Sequence, residues 1–418
     1  MGNFPHAKIT KKMRYYFAPH TYLVKGALHS CVYDLPHNQL HKINTEVYDL
    51  LLRVAKGEDV FDSSEKDFLE NLVSLGILQR EPHEYISIEE AYSYPRAIDF
   101  AWIELTNICN LKCIHCYNEQ DNIPKRTLTL QELRLIVDEL LSIGVKKVQL
   151  IGGEPFVIQK DILFDMIDYV AKHMETFEVF INGTLNTDND LIYLKEKYPN
   201  IHIATSLHSY IEEEHEKVTN IKGSYQKTLD TLHSLNKLNI PHRFVGALIG
   251  GVCIGTDCGV GEPSRRDYIR MSGRANLRLY NDELLQKRII TEEKIHSGNI
   301  EETLKYNYDQ SCFATHLYIG SDMNVYPCPM ERRLYHGNLR EGHLKDMLKA
   351  NILNMSKNDV NGCSDCEYRY LCLDCRPDSL YGDTKEKPWY CTYNPYDGTW
   401  ESFDRFKERT YSVKNPNS

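Results

Sequence analysis

An α/β fold, with parallel strands alternating with helices, is what this sequence predicts for its middle section, and three observations carry that prediction. Apolar, β-branched runs recur at residues 98–106, 147–151, 177–181, 202–206, 242–249 and 268–271. Helix signals fall between them, and cysteine- and glycine-bearing segments sit where the runs end. Six such strands in series give a partial (β/α)6 barrel, in which functional loops gather at the carboxyl ends of the strands.

In chain order, residues 1–92 come first and differ from the rest. Two short strand-like runs, 21–27 and 31–35, precede amphipathic stretches at 45–55 and 64–75, and a third short strand can start at 76–78. This is a small winged-helix layout. The barrel segment, 93–280, opens on the first strand. Thr129 and Glu132 then make a capping box for a helix that Gly144 ends. Further helices are predicted at 160–173 and 224–238. Residues 281–311 form a bridging region, and 312–418 a cysteine-rich domain.

Composition narrows the function classes. The chain has 418 residues, 13 cysteines and a formal charge of −10, with no Arg/Lys-rich tract, which weighs against nucleic acid as a partner. The first 13 residues contain no apolar signal region and no apolar run is long enough to span a bilayer, so a cytoplasmic protein without a membrane partner is expected. Clustered cysteine spacings in such a chain point to metal ahead of disulfides.

The sharpest motif is Cys109, Cys113 and Cys116 in ELTNICNLKCIHCY, a CxxxCxxC triplet after the first strand. Three thiolates leave one corner of a four-iron cluster free for a further ligand. A structural zinc site would call for a fourth closed ligand, and no cysteine or histidine pair nearby supplies one. Gly152, Gly153, Glu154 and Pro155 follow the second strand. Together these segments resemble the radical S-adenosylmethionine (radical SAM) enzymes. The resemblance implies that the triplet holds a [4Fe-4S] cluster, that GGEP holds the amino end of SAM, and that SAM is cleaved to a 5′-deoxyadenosyl radical. It further implies SAM contacts from Asn182, Gly183 and Ser206, with His115 packed near the cluster and adenine. His208 and Thr219 depart from the family pattern at ribose and carboxylate positions. Gly273-Arg274-Ala275 matches a GRA motif frequent in the family, as a functional segment or as an ordinary helix start.

Seven cysteines follow within 80 residues: Cys312, Cys328, Cys363, Cys366, Cys372, Cys375 and Cys391. Five residues separate the two CxxC pairs, short of the 15–20 of a zinc ribbon. The pattern is similar to the SPASM extension of radical SAM enzymes, which implies two auxiliary [4Fe-4S] clusters, three in all. By that resemblance Cys312, Cys328 and Cys375 form one set, and Cys363, Cys366, Cys372 and Cys391 the other. The first set has three thiolates, so either its open iron binds substrate or a carboxylate, histidine or unassigned cysteine such as Cys258 completes it. The N-terminal layout resembles the leader-recognition domain of enzymes that modify ribosomally made peptides, with packing or dimerisation as its other reading. The expectation is a peptide maturase acting on a precursor peptide with a leader, fed by a reductant such as flavodoxin or ferredoxin. Its product is an intrapeptide thioether of the sactipeptide or ranthipeptide kind, or else a carbon–carbon crosslink. A formylglycine-generating sulfatase maturase and a non-catalytic iron–sulfur scaffold are the alternatives.

Overall fold

The structure is a computed structural model and describes residues 14–92, 96–118, 124–307, 311–379 and 383–412. The first 13 residues and the boundary after residue 92 lie outside the described residues.

Polypeptide order begins with β1 (Tyr16–Phe17), β2 (Thr21–Val24), β3 (Ser30–Asp34), β4 (Gln39–Ile43), α1 (Thr45–Ala55), α2 (Ser63–Ser74), β5 (Leu78–Gln79) and α3 (Ile88–Tyr92). The β2, β3 and β4 strands form an antiparallel sheet in that order, while β1 pairs with β5. The β4 strand was not among the predicted elements. Its sequence, QLHKI, is polar and half exposed because it is an edge, so it lacks an apolar run. Asn44 caps α1, and Asp62 with Glu65 forms a capping box on α2.

The barrel segment supplies β6 (Phe100–Thr106), α4 (Leu130–Ser142), β7 (Lys147–Gly152), α5 (Lys160–His173), β8 (Thr176–Phe180), α6 (Asp188–Lys197), β9 (His202–Ser206), α7 (Glu212–Thr219), α8 (Ser224–Lys237), β10 (His242–Leu248) and β11 (Arg265–Tyr268). All six strands are parallel and neighbour one another in chain order. Thr129 and Glu132 make the expected capping box. The last strand begins earlier than predicted, at Arg265 instead of residue 268. Its charged start, RRDY, hides it from a search for apolar runs. Helices α6 and α7 also escaped, since both are polar; α6 opens on a Thr187–Asp190 capping box and α7 on three glutamates that favour a helix N-terminus.

The sheet does not stop at the barrel. Strand β12 (His316–Ile319) adds parallel to β6, and β13 (Asn324–Tyr326) and β14 (Gly337–Asn338) continue it antiparallel, giving nine strands. Leu317, Ile319, Met323 and Val325 therefore join the main core with β6, β7 and the inner faces of α4 and α5. A second core crosses from the N-terminal sheet to the C-terminal region. Tyr22, Val24, Cys31 and Tyr33 pack with Tyr368, Tyr370, Leu371 and Tyr393. Among the described residues no helix is long and apolar enough to cross a membrane.

Candidate functional site

The cysteine triplet leaves the end of β6 as a loop fastened on three sides. From α7, the carbonyls of Thr219 and Val218 accept from Lys112 N at 3.0 Å and Ile114 N at 2.9 Å. Thr219, which departs from the family pattern at a carboxylate position, is thus buried beneath the loop, with Oγ1 2.7 Å from Ser224 Oγ. From the end of β7, Gly153 N and Glu154 N donate to Thr106 O at 2.7 Å and Ile108 O at 2.8 Å. A Cβ on Gly153 would stand 2.2 Å from Ile108 O, so only glycine lets the two loops meet.

The third fastening is the segment after β11. Arg274 N donates to Cys116 O and Arg274 Nε to Cys113 O, both at 2.9 Å. Gly273 has φ +60°, and its Cβ would meet Cys116 O at 2.3 Å. Sequence reasoning left Arg274 open between a functional motif and a helix start; here it spans the backbone of the cysteine loop.

Glu154 is 1 % exposed and its carboxylate accepts from Phe156 N at 3.0 Å and Asn182 N at 2.6 Å. Burial raises its pKa to about 7 against those two hydrogen bonds. Its first task is to tie the β7 and β8 loops together. Asn182 donates from Nδ2 to Asn110 Oδ1 at 2.8 Å and lies 3.8 Å from Cys109 Sγ. Asn110, a residue without a sequence signal of its own, completes the link through Thr184 Oγ1 at 2.8 Å. Gly183 takes φ +74° in the same turn, Pro155 opens a short 3-10 turn after Glu154, and Ser206 closes β9 at the same end of the sheet.

His115, half-buried, heads a row of imidazoles that runs on to the buried His208 and His215. Its ring meets His208 edge-on at 4.8 Å, and His208 stacks on His215 at 5.5 Å. Ala247 N donates to His208 Nδ1 and His208 N to His215 Nδ1, each at 3.3 Å, which leaves the proton of both rings on Nε2. Burial lowers all three, His115 and His215 to about 4 and His208 well below its usual range. The row is therefore neutral at physiological pH.

The three thiols are pushed up by burial first, Cys109 to about 11 and Cys113 to about 12; Glu154 and then Cys116 add to this at Cys109, and Cys116 and then Cys109 at Cys113. Buried thiols that resist ionisation are made into thiolates by a bound cation. Among the C-terminal cysteines burial again comes first and neighbouring thiols add to it. Burial and then Cys375 raise Cys312, burial and Cys312 raise Cys328, and Cys328 is among the groups that raise Cys375. Separately, Cys372 and Cys391 raise Cys363 and Cys366 after burial. No His, Cys, Asp or Glu trio among the described residues is drawn to single-ion distance. Cys258 Sγ lies 3.6 Å from the Tyr225 hydroxyl on α8. The carboxylates beside that set are occupied, Asp378 by Arg288 Nη2 at 2.7 Å and Glu331 by Arg333 Nε at 2.9 Å.

Residues 103–257 match the family model of the Radical SAM superfamily. The chain carries a radical SAM domain. It is similar to the antilisterial bacteriocin subtilosin biosynthesis protein AlbA of Bacillus subtilis, at 28% identity over 46% of this chain and 47% of AlbA, so the match spans about half of that relative. It is 25% identical to the AdoMet-dependent heme synthase of Methanosarcina barkeri over 72% of this chain and 97% of that one. The fold is similar to the crystal structure of Streptococcus suis SuiB bound to precursor peptide SuiA, with TM-score 0.53 and 11% identity over 90% of this chain and 98% of SuiB. The donor set of Cys109, Cys113 and Cys116 and the close Gly153 crossing fit the SAM and [4Fe-4S] cluster that this domain implies.

Proposed function

We propose that this chain is a radical SAM peptide maturase that forms a crosslink, thioether first and carbon–carbon second, within a ribosomally made precursor peptide. What supports the proposal is the CxxxCxxC triplet, held through backbone by α7, by the Gly153 crossing and by Arg274, together with seven further cysteines in the C-terminal region. When bound, SAM and its cluster supply a radical that takes a hydrogen atom from the peptide, and the auxiliary clusters take up the remaining electron.

The chain's own residues position and enclose. Cys109, Cys113 and Cys116 would hold the first cluster. Gly152, Gly153, Glu154 and Pro155, with Asn182, Gly183 and Ser206, would hold SAM, and the neutral row His115, His208 and His215 walls the site without adding charge. Cys312, Cys328 and Cys375 leave a position free for a substrate sulfur, since the neighbouring Asp378 and Glu331 are held by arginines. The leader would add as a further strand on β4, whose outer edge pairs with no strand among the described residues.

AlbA is named for bacteriocin biosynthesis and SuiB was solved with a precursor peptide, which supports a peptide substrate. The heme chemistry named for the Methanosarcina relative would leave the β4 edge without a role. A flavodoxin or ferredoxin would deliver the electrons. The test is mass spectrometry of a precursor peptide encoded beside this gene and co-expressed with it. Loss of two hydrogens per crosslink is expected, and an unchanged mass, with 5′-deoxyadenosine formed, rejects the crosslinking step.

A further inference from the structure

Lys357 is 1 % exposed, in a part of the molecule that the first site does not reach. It opens a 3-10 turn, Lys357–Asp359, fixed by a capping box between Ser356 and Asp359. Its Nζ donates to the carbonyl oxygen of Cys372 and lies 4.0 Å from Cys372 Sγ.

A lysine is free to carry its ammonium to water on a flexible stem, and a buried one demands a counter-charge. A neutral carbonyl is a poor one. The carboxylate on the same loop, Asp374, is paired with the buried Arg376. The thiol set stands beside the ammonium, with Cys372 Sγ 4.0 Å from Nζ. Cluster potential responds to net charge and to hydrogen bonds at the sulfurs.

We propose that Lys357 is a positioning charge that sets the reduction potential of the four-thiolate auxiliary cluster, its ammonium lying against Cys372 and favouring the more negative, reduced form. This rests on the reading of Cys363, Cys366, Cys372 and Cys391 as the thiolates of one [4Fe-4S] cluster. In the crosslinking reaction the peptide loses one hydrogen atom to the SAM-derived radical and, as the new bond forms, one proton to solvent and one electron. That electron takes the cluster from the 2+ to the 1+ state.

The test is an EPR-monitored redox titration of the full chain, reconstituted anaerobically, with iron and zinc counted per chain. The signal of this cluster is the one lost in Cys363→Ala/Cys366→Ala. Lys357→Met is expected to make its reduction at least tenfold less favourable, a fall of about 59 mV for a one-electron couple. Lys357→Arg keeps the charge and should keep the potential, and the signal of the first cluster should not move in either variant. Equal potentials for wild type and Lys357→Met overturn the proposal. If Lys357→Met loses the cluster, Lys357→Gln against Lys357→Arg makes the same comparison. Loss in both neutral variants with retention in Arg supports the charge role, and loss in all three overturns it. Zinc at this site in the wild type overturns the cluster reading as well, and the metal count reveals that before any variant is compared.

Discussion

A carboxyl group as enclosed as Glu154 prefers to be neutral, and its two backbone donors only partly oppose that preference. Because burial lifts it from 4.5 to about 7, its contribution to folding is complete below pH 4.5 and is lost as pH rises through about 7. The metal-free protein should therefore lose up to about 3 kcal/mol of stability over that window, at about 1.4 kcal/mol per unit. Denaturant midpoints between pH 5 and 8 measure this, and Glu154→Gln should flatten the slope; an equal slope in the variant rejects the assignment. A SAM ammonium arriving beside Glu154 would favour the ionised form. Binding of SAM to the cluster-loaded protein should then strengthen as pH rises through 7, and isothermal titration at pH 6 and pH 8 checks the direction.

Elements of the barrel meet at the cysteine loop through backbone, and this is where a single methyl group matters. Gly273→Ala puts a Cβ against Cys116 O in a left-handed conformation that alanine adopts only with strain. The expected result is a site that retains less iron, about four fewer per chain, while both C-terminal sets keep theirs; an unchanged count shows that the loop can yield. The other element with a clear expectation is β4. As a partly exposed edge strand it can accept a further strand without rearrangement of β2 or β3. Hydrogen exchange at residues 39–43 should slow when the leader peptide is added. Protection confined to other segments would place the leader elsewhere.

Across the whole molecule, the ends of the chain are held together more closely than their sequence separation suggests. Tyr33 donates to Glu367 O at 2.8 Å, and Arg369 Nη1 donates to Lys25 O at 2.6 Å. Ala27 N donates to Asp365 O at 2.7 Å, and Tyr22, Val24, Cys31 and Tyr33 share a core with Tyr368 and Tyr393. The N-terminal sheet is thus a wall of the four-cysteine region, since Glu367 directly follows Cys366. Removing the hydroxyl in Tyr33→Phe leaves a buried carbonyl short of its donor, at a cost of about 1–3 kcal/mol. Amides of β3 and of residues 363–372 should lose exchange protection by the same amount, as parts of one cooperative unit. Loss confined to β3 would mean that the two regions open independently.

The sequence by itself determined the alternation of strands and helices through the barrel, the cysteine triplet and the glycines that follow it, because each is a local pattern. Apolar runs mark buried parallel strands, Thr129 with Glu132 marks a helix start, and CxxxCxxC marks a loop that can wrap a metal group. Elements whose burial is decided by distant neighbours did not announce themselves. Strand β4 is polar because one edge is open, β11 starts on two arginines, and α7 is acidic on the outside. Tertiary structure alone decided that β12 extends the parallel sheet beside β6, and that Thr219 and Arg274 both hold the backbone of the cysteine loop. It also decided that Lys357 points inward to Cys372. A charge's partner and a strand's neighbour are properties of chain segments far apart in sequence, and only folding brings them within a few ångströms.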